Sequence, residues 1–408
     1  MTLTHSSEAI GRFVNSVHNS RNVLPNKQTF ALIVAILFGI TLAMQPVEAQ
    51  TLTVLHAFKG GTDGTSPYAG LIRGSTGNLY GTTSGAGLGG GTVFKVAPNG
   101  KETVLYSFKL KPDGANPFAD LVRDAAGNLY GTTKFGGTGK CVYSVGDCGT
   151  LFKVTTTGEE IILHSFNYRG GRFPLGRIVR DAAGNFYGTT GDGGSQRGGT
   201  LYKLSPTGAY TVVHSFNAAK GDSLAPNGLV QDTAGNFYGT SFQGGKFRFG
   251  TVFKVTATGT ETVLHSFGSG TDGYFPAAGL ILDSAGNLYG TTRSGGSGNL
   301  GTVFMLTPSG AETVLPSFTG QPDGAAPQGE LVMDSKGNLY GTTFTGGTAN
   351  AGTVFKVDPA GNESVLYSFT GGTDGGNPSG GLVLDAKGNL LGTTVQGGLG
   401  NGVVFKLH

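Results

Sequence analysis

Tryptophan is absent from these 408 residues, cysteine occurs twice, and charged side chains make up only 13%. Each shortage excludes something. Two thiols, Cys141 and Cys148, with no histidine nearby fall short of a tetrahedral zinc set, so no metal centre is expected. Residues 1–49 hold Arg12, Arg21 and Lys27 against Glu8 and Glu48, so a chain starting at Gln50 has 25 basic and 23 acidic residues, a net +2. That is too near neutral for a nucleic-acid partner, which needs a strongly basic face. Neither HExxH nor GxSxG occurs, and no motif asks for a cofactor. The string GGTGKC at Gly136 lacks the earlier glycine and the Ser/Thr of a phosphate loop.

Long apolar runs are also scarce. There is one, FALIVAILFGITLAM from Phe30 to Met44. It is shorter than the roughly 20 residues a spanning helix needs. It follows a basic segment ending at Lys27 and precedes Pro46-Val47-Glu48-Ala49. Residues 1–49 are therefore expected as a signal peptide cleaved near Ala49, with an uncleaved anchor as the alternative left by the long basic region. The mature chain is expected to be secreted, periplasmic or at the cell surface, without membrane insertion and as a monomer. In that setting Cys141 and Cys148 are expected to form a local disulfide.

What is abundant is glycine: 75 residues, more than twice the average usage of about 7%. It sits in repeats. YGTT or a near copy starts at Tyr80, Tyr130, Tyr187, Tyr238, Tyr289, Tyr340 and Leu391. GTVFKV or a relative starts at Gly91, Gly149, Gly199, Gly250, Gly301, Gly352 and Gly402. A TVLxSF-like string ends at Phe58, Phe108, Phe166, Phe216, Phe267, Phe318 and Phe369. Each unit reads as four short strands, A to D, with a DxxGN turn between A and B. Antiparallel four-stranded units at this period are the signature of propeller blades.

Seven blades are expected: 70–108, 120–166, 177–216, 228–267, 279–318, 330–369, and 381–408 completed by 51–58. The mature chain opens with a D-type strand, TVLHAF at Thr53, and finishes with a C-type strand, VVFKLH at Val403. All strands find partners only if the first completes the last blade, which removes two exposed sheet edges. The expectation is an all-β, seven-bladed propeller closed in this way.

The strand order resembles WD-repeat propellers, and the DxxGN-L-Y turn resembles NHL-type and streptogramin-lyase-type propellers. The combined unit, GLVxDxxGNLYGTT…GG…GTVFK…ETVLxSF, over residues 51–408, most resembles the GloVer-type tandem-repeat family of exported bacterial proteins. That resemblance implies fold and export, and no activity comes with it. Some members carry C-terminal anchors; this chain stops on a core strand at His408. The repeated Trp-ended motif of sialidase-type propellers is missing.

Function would have to sit where the repeat is broken. The A–B and C–D turns are short and uniform, whereas the B–C and D–A loops vary and share the other face. In blades 2 to 4 those loops carry Lys134, Phe135, Lys140, Tyr143, Tyr168, Arg169, Arg172, Phe173, Arg197, Lys246, Phe247 and Arg248. Cations mixed with aromatics suit an anionic glycan or a protein surface; solvated loop decoration is the alternative. Arg73, Arg123, Arg180 and Gln231 end their A strands, against Leu282, Met333 and Leu384, and are expected to line the channel or pack between blades. His56, His164, His214 and His265 share one position on the outermost strand, where separate blades cannot bring them together, so they read as structural. The Asp-Gly pairs at Asp63, Asp113, Asp272, Asp323 and Asp374 read as turns. The leading expectation is a non-enzymatic exported module binding an extracellular glycan or protein at the B–C/D–A face, with no catalytic residue assigned. The competing classes are a polysaccharide hydrolase or lyase working in the channel mouth, and a structural envelope protein.

Overall fold

In every repeat, the glycine of YGTT faces the aromatic of GTVFKV on the neighbouring strand, and that pairing sets how the blade packs. A Cβ on Gly81 would lie 2.7 Å from Phe94 Cζ and 2.9 Å from Leu71 Cδ2. Glycine is therefore required to seat the ring, which is completely buried. The following threonines divide the remaining work. The second bonds across to the start of strand C, as in Thr83 Oγ1 to Thr92 Oγ1 at 2.8 Å and Thr292 Oγ1 to Thr302 Oγ1 at 2.8 Å. In four repeats the first donates to the next blade's D–A loop, as in Thr240 Oγ1 to Ala278 O at 2.6 Å and Thr393 Oγ1 to Ala69 O at 2.9 Å, whereas Thr82, Thr132 and Thr291 are buried without a partner.

The computed structural model describes residues 50–141, 147–217, 222–268 and 270–408. The expected signal segment and Tyr143 lie outside the described residues. Seven antiparallel sheets form the ring. In the second blade, strands A to D are Val122–Arg123, Leu129–Thr133, Thr150–Val154 and Glu160–Ser165. Each strand C lies between two neighbouring blades and is buried on both faces, which is why it reads as a nearly continuous apolar run. Strand D carries a bulge opposite strand C in every blade, for example between Val93 and Phe94. Such an extra residue increases twist. Among the described residues no helix is long and apolar enough to cross a membrane.

The seam closes as expected. Strand Leu52–Ala57 pairs antiparallel with Val403–Leu407, with Leu52 opposite Leu407 and Ala57 opposite Val403. The last residue of each TVLxSF string then meets the strand C ring of the next blade edge-on. The centroid distances are 5.1 Å for Phe58–Phe94, 5.0 Å for Phe216–Phe253 and 5.2 Å for Phe369–Phe405. Phe108, Phe166, Phe267 and Phe318 make the same contact at the other four interfaces. One such contact per interface, each worth about 0.5–1.5 kcal/mol beyond its buried area, makes the ring uniform through the seam.

Three blades depart from the regular pattern; in blade 2, Gly114–Ala115 of the D–A loop pairs with Phe135–Gly136 of the B–C loop. The D–A loop before blade 4 is one residue short after its proline, and its inner strand runs from Ser223 to Gln231 with a bulge between Pro226 and Leu229. Blade 6 gains a short extra strand, Ala325–Pro327, beside its strand B. Of the residues ending strand A, Arg73, Leu282, Met333 and Leu384 line the channel. Arg123 instead lies over the Tyr80 ring of the preceding blade, and Arg180 over the Phe186 ring of its own blade.

The A–B turns explain the DxxGN-L-Y motif. Asp124 Oδ1 accepts the Asn128 N–H (2.8 Å), and its Oδ2 accepts from Asn128 Nδ2 (2.8 Å) and the Tyr130 hydroxyl (2.9 Å). Asp181, Asp232, Asp283 and Asp334 are bonded the same way. These carboxylates are acceptors consumed by their own turns.

Candidate functional site

The D–A loops converge on the axis, and the residue before the buried Leu or Ile that leads each inner strand lies at the channel. In four blades it is glycine: Gly70, Gly228, Gly279 and Gly381. In the other three it is Asp120, Arg177 and Glu330. Glycine is needed where neighbouring loops touch; a Cβ on Gly70 would come within 2.9 Å of Gly381 O. Where a side chain is present, it must project into the channel.

There the three charges meet. Arg177 Nη1 lies 3.5 Å from Glu330 Oε2, which belongs to a blade on the far side of the ring. Asp120 Oδ1 accepts the Gly70 N–H at 2.6 Å. These residues form the floor of a cavity of about 330 Å³ on the loop face, rimmed by Tyr68, Phe118, Lys134, Leu175, Asn227, Gln328 and Ser379. They also form the roof of a second space of about 470 Å³, walled by the A strands. The trio is thus the waist of the channel. Burial pushes the Glu330 carboxyl up to about 7; Arg177 opposes that rise and Asp120 adds to it. Burial also raises Asp120, against the pull of Arg177 and the Gly70 N–H. Arg177 is held firmly protonated, chiefly by Glu330, and keeps 49% of its side chain open to the channel. Near neutrality the arrangement can present a fixed cation and can exchange a proton at Glu330.

The rim extends outward as a ladder of rings and cations. Tyr68 and Phe118 lie 5.2 Å apart. Lys134 Nζ stands over Phe118 (5.5 Å) and Phe135 (5.1 Å), and Phe135 meets Phe173 edge-on at 5.5 Å. Arg172 lies over Phe173 and Tyr168, and its Nε donates to Asp192 at 2.9 Å, so its charge is already partnered. Arg169 lines a separate cleft with Lys140, Cys141 and Tyr168, beside the Cys141–Cys148 disulfide. Arg197 and Arg248 hold left-handed backbone positions (φ 63° and 64°) that Asn299 and Asn350 fill in other blades. Lys246 sits over Phe247, which is 48% exposed. The residues singled out in sequence therefore fall into three places: Lys134, Phe135, Arg172 and Phe173 along the ladder, Arg169 in the disulfide cleft, and Arg197 with Lys246–Arg248 at loop turns.

Sequence reasoning missed Asp120, Arg177 and Glu330. The signal was present as charge at a repeat position otherwise held by glycine. It also missed what happens to the outer-strand residues. His56 Nε2 lies 3.3 Å from Asp63 Oδ2, and His265 Nε2 lies 3.1 Å from Asp272 Oδ1. His214 Nε2 lies 3.1 Å from Glu261 Oε2, while His164 stacks on Tyr210 at 4.0 Å and burial lowers it to about 4.

Comparison with known proteins adds the following. No curated protein matches the sequence. The most similar solved structures include virginiamycin B lyase from Staphylococcus aureus, with a TM-score of 0.59 at 14% identity over 88% of this chain and 99% of that one. The extracellular domain of a hybrid two-component system from B. thetaiotaomicron has a TM-score of 0.56 at 14% identity; the match covers 87% of this chain and only 41% of that one. At such identities the likeness establishes the fold alone. The sequence pattern of the Gloeobacter/Verrucomicrobia repeat matches residues 36–226 and 220–405.

Proposed function

This chain belongs to the Gloeobacter/Verrucomicrobia repeat family, and from that premise we propose that it is an exported, non-enzymatic binding propeller that takes the end of a glycan chain in its channel mouth. One observation carries the reading: Arg177 and Glu330 meet across the channel and narrow its waist, setting the mouth apart as a pit from the space below. The pit is at the small end of the roughly 300–1,000 Å³ range of ligand sites. Its rim combines ring faces at Tyr68 and Phe118 with hydrogen-bonding groups at Gln328, Asn227 and Ser379. Sugars present that mixture, apolar ring faces edged by hydroxyls. Lys134 and the exposed half of Arg177 would favour a sugar bearing a carboxylate or sulfate. Export belongs to the same reading, and the Cys141–Cys148 bond supports it, because such bonds persist in oxidising compartments.

The test is a glycan-array screen of the purified chain, followed by calorimetry with the strongest oligosaccharide. Phe118→Ala and Lys134→Ala should each weaken binding by about tenfold, the scale of one lost stacking or charged contact. Lys246→Ala should leave it unchanged. Absence of saturable binding to any glycan, or full affinity in Phe118→Ala, rejects the reading.

A second reading is favoured by the carboxyl of Glu330, raised to about 7 by burial, which is where a general acid or base is most effective. In that case the bound oligosaccharide would be cleaved, and Glu330→Gln would abolish turnover while leaving binding in place. The ion pair argues against it, since a carboxylate committed to Arg177 is a poor base.

A further inference from the structure

The outer wall of the ring holds a second set of titratable groups, remote from the channel. At the blade 7/blade 1 interface, His56 from strand D meets Asp63 from the following D–A loop and Glu102 from the next strand D. At the blade 4/blade 5 interface, His265, Asp272 and Glu312 repeat the arrangement. In each cluster, one nitrogen and two carboxylate oxygens lie within 4.8 Å of one another. We infer that these two clusters bind transition-metal ions of the zinc type, one ion per interface.

Three observations carry this. First, the His–Asp separations are 3.3 Å and 3.1 Å. A tetrahedral ion with bonds of about 2.0–2.1 Å holds its ligands roughly 3.3 Å apart, so the pair needs little movement. Second, the Oε1 atoms of Glu102, Glu160, Glu312 and Glu363 are wholly buried without a hydrogen-bond partner, and among the described residues only at Glu102 and Glu312 does a histidine complete a three-ligand set. Their counterpart Glu261 differs: its Oε1 accepts the Ser223 N–H at 3.3 Å. A buried acceptor without a donor is costly, and a cation is the partner that would satisfy it. Third, each Asp is held in place by a backbone N–H, from Lys59 to the Asp63 oxygen that also faces His56 and from Gly268 to the Asp272 oxygen turned away from His265. That is the outer-shell support that metal ligands require.

The chemistry of the donors selects the ion. Imidazole with carboxylates suits zinc and its first-row neighbours, whereas calcium takes six to eight oxygens and no nitrogen. Three protein ligands leave a fourth position for water, and the partial exposure of His56 (14%) and His265 (19%) provides an entry path. The remaining interfaces supply internal controls. Tyr106, Pro316 and Tyr367 replace the histidine at three of them, and His164 faces Tyr210 rather than a carboxylate. The two sites differ in consequence. The first lies beside the seam, so its ion would hold the opening strand to blade 1.

The experiment is calorimetric titration of the full-length, metal-free chain with ZnCl₂, with Co²⁺ as a visible-absorption reporter of four-coordinate geometry. Two equivalents of Zn²⁺ should bind. His56→Gln and His265→Gln should each leave one equivalent and weaken the affected site by at least about 100-fold. The double variant should lose both equivalents and the rise in Tm that zinc produces. His164→Gln should keep two. Should a histidine variant fail to fold, Glu102→Gln and Glu312→Gln make the same removals with an isosteric side chain that supplies its own N–H. Uptake that is unchanged in all four variants, or no uptake at 100 μM Zn²⁺ (a concentration of about 10⁻⁴ M, far above any structural site's Kd), overturns the inference.

Discussion

The glycine of each YGTT string and the aromatic ring it admits are one packing unit. At Gly239 an added Cβ would sit 2.7 Å from Phe253 Cζ and 3.1 Å from Gly228 O. Gly239→Ala should therefore lower stability by roughly 1–3 kcal/mol through overpacking, read as a fall in the urea midpoint. Combining it with Phe253→Leu should cost less than the two changes added separately, because the smaller side chain makes room for the methyl group. Strict additivity would contradict the packing explanation. The residues of the channel waist were legible in the same way, as departures from a glycine position. What could not be read was that Arg177 and Glu330, 153 residues apart, would meet. Sequence spacing says nothing of distance across a ring.

At the level of strands, the seam is the one place where strand D is not joined to its strand C by a turn. Strand Leu52–Ala57 is held in blade 7 by its ladder to Val403–Leu407, by side-chain packing and by the Thr53–His408 side-chain hydrogen bond, with no turn joining it to strand C. Local opening is easier where a strand can leave without unfolding its neighbours. In metal-free protein, the amides of Thr53–Ala57 should exchange faster than those of the equivalent strand Glu261–Ser266, as measured by hydrogen exchange. Phe58→Ala should widen that gap, because it removes the Phe58–Phe94 contact that anchors the strand's end. Such truncations cost about 3–5 kcal/mol. Equal protection of the two strands would show that the seam is as tightly held as a continuous blade. The need for this pairing was legible from a lone D strand and a lone C strand. The bulge that repeats in every strand D was not, because a one-residue slip in register leaves no mark in a short apolar string.

For the whole molecule, two sets of carboxyls pull stability in opposite directions with pH. In the A–B turns, burial alone would raise Asp124, Asp181, Asp232, Asp283, Asp334 and Asp385, but the hydrogen bonds they accept outweigh it and hold them low. Their contribution is complete above the unfolded value near 4 and is lost as pH falls through the folded values. Between blades, burial first, and then Asp113 and Asp323 respectively, raise Glu160 and Glu363 to about 7 from 4.5. Their ionisation opposes folding, so stability declines as pH climbs from 4.5 through 7. Tm should peak at about pH 5 and fall on both sides. Glu160→Gln with Glu363→Gln should flatten the limb above the peak; an unchanged limb would assign the decline to other groups.

The sequence by itself determined the blade, its count and its closure, because those follow from local strand patterning repeated seven times and from unpaired elements at the two ends. It also placed the variable loops on one face. Only the tertiary structure decided which side chains converge. Closing the ring brings blade 3 against blade 6 at the axis and the D–A loop of one blade against strand D of the next on the wall. Such contacts depend on the curvature summed over all seven sheets, which no single repeat encodes.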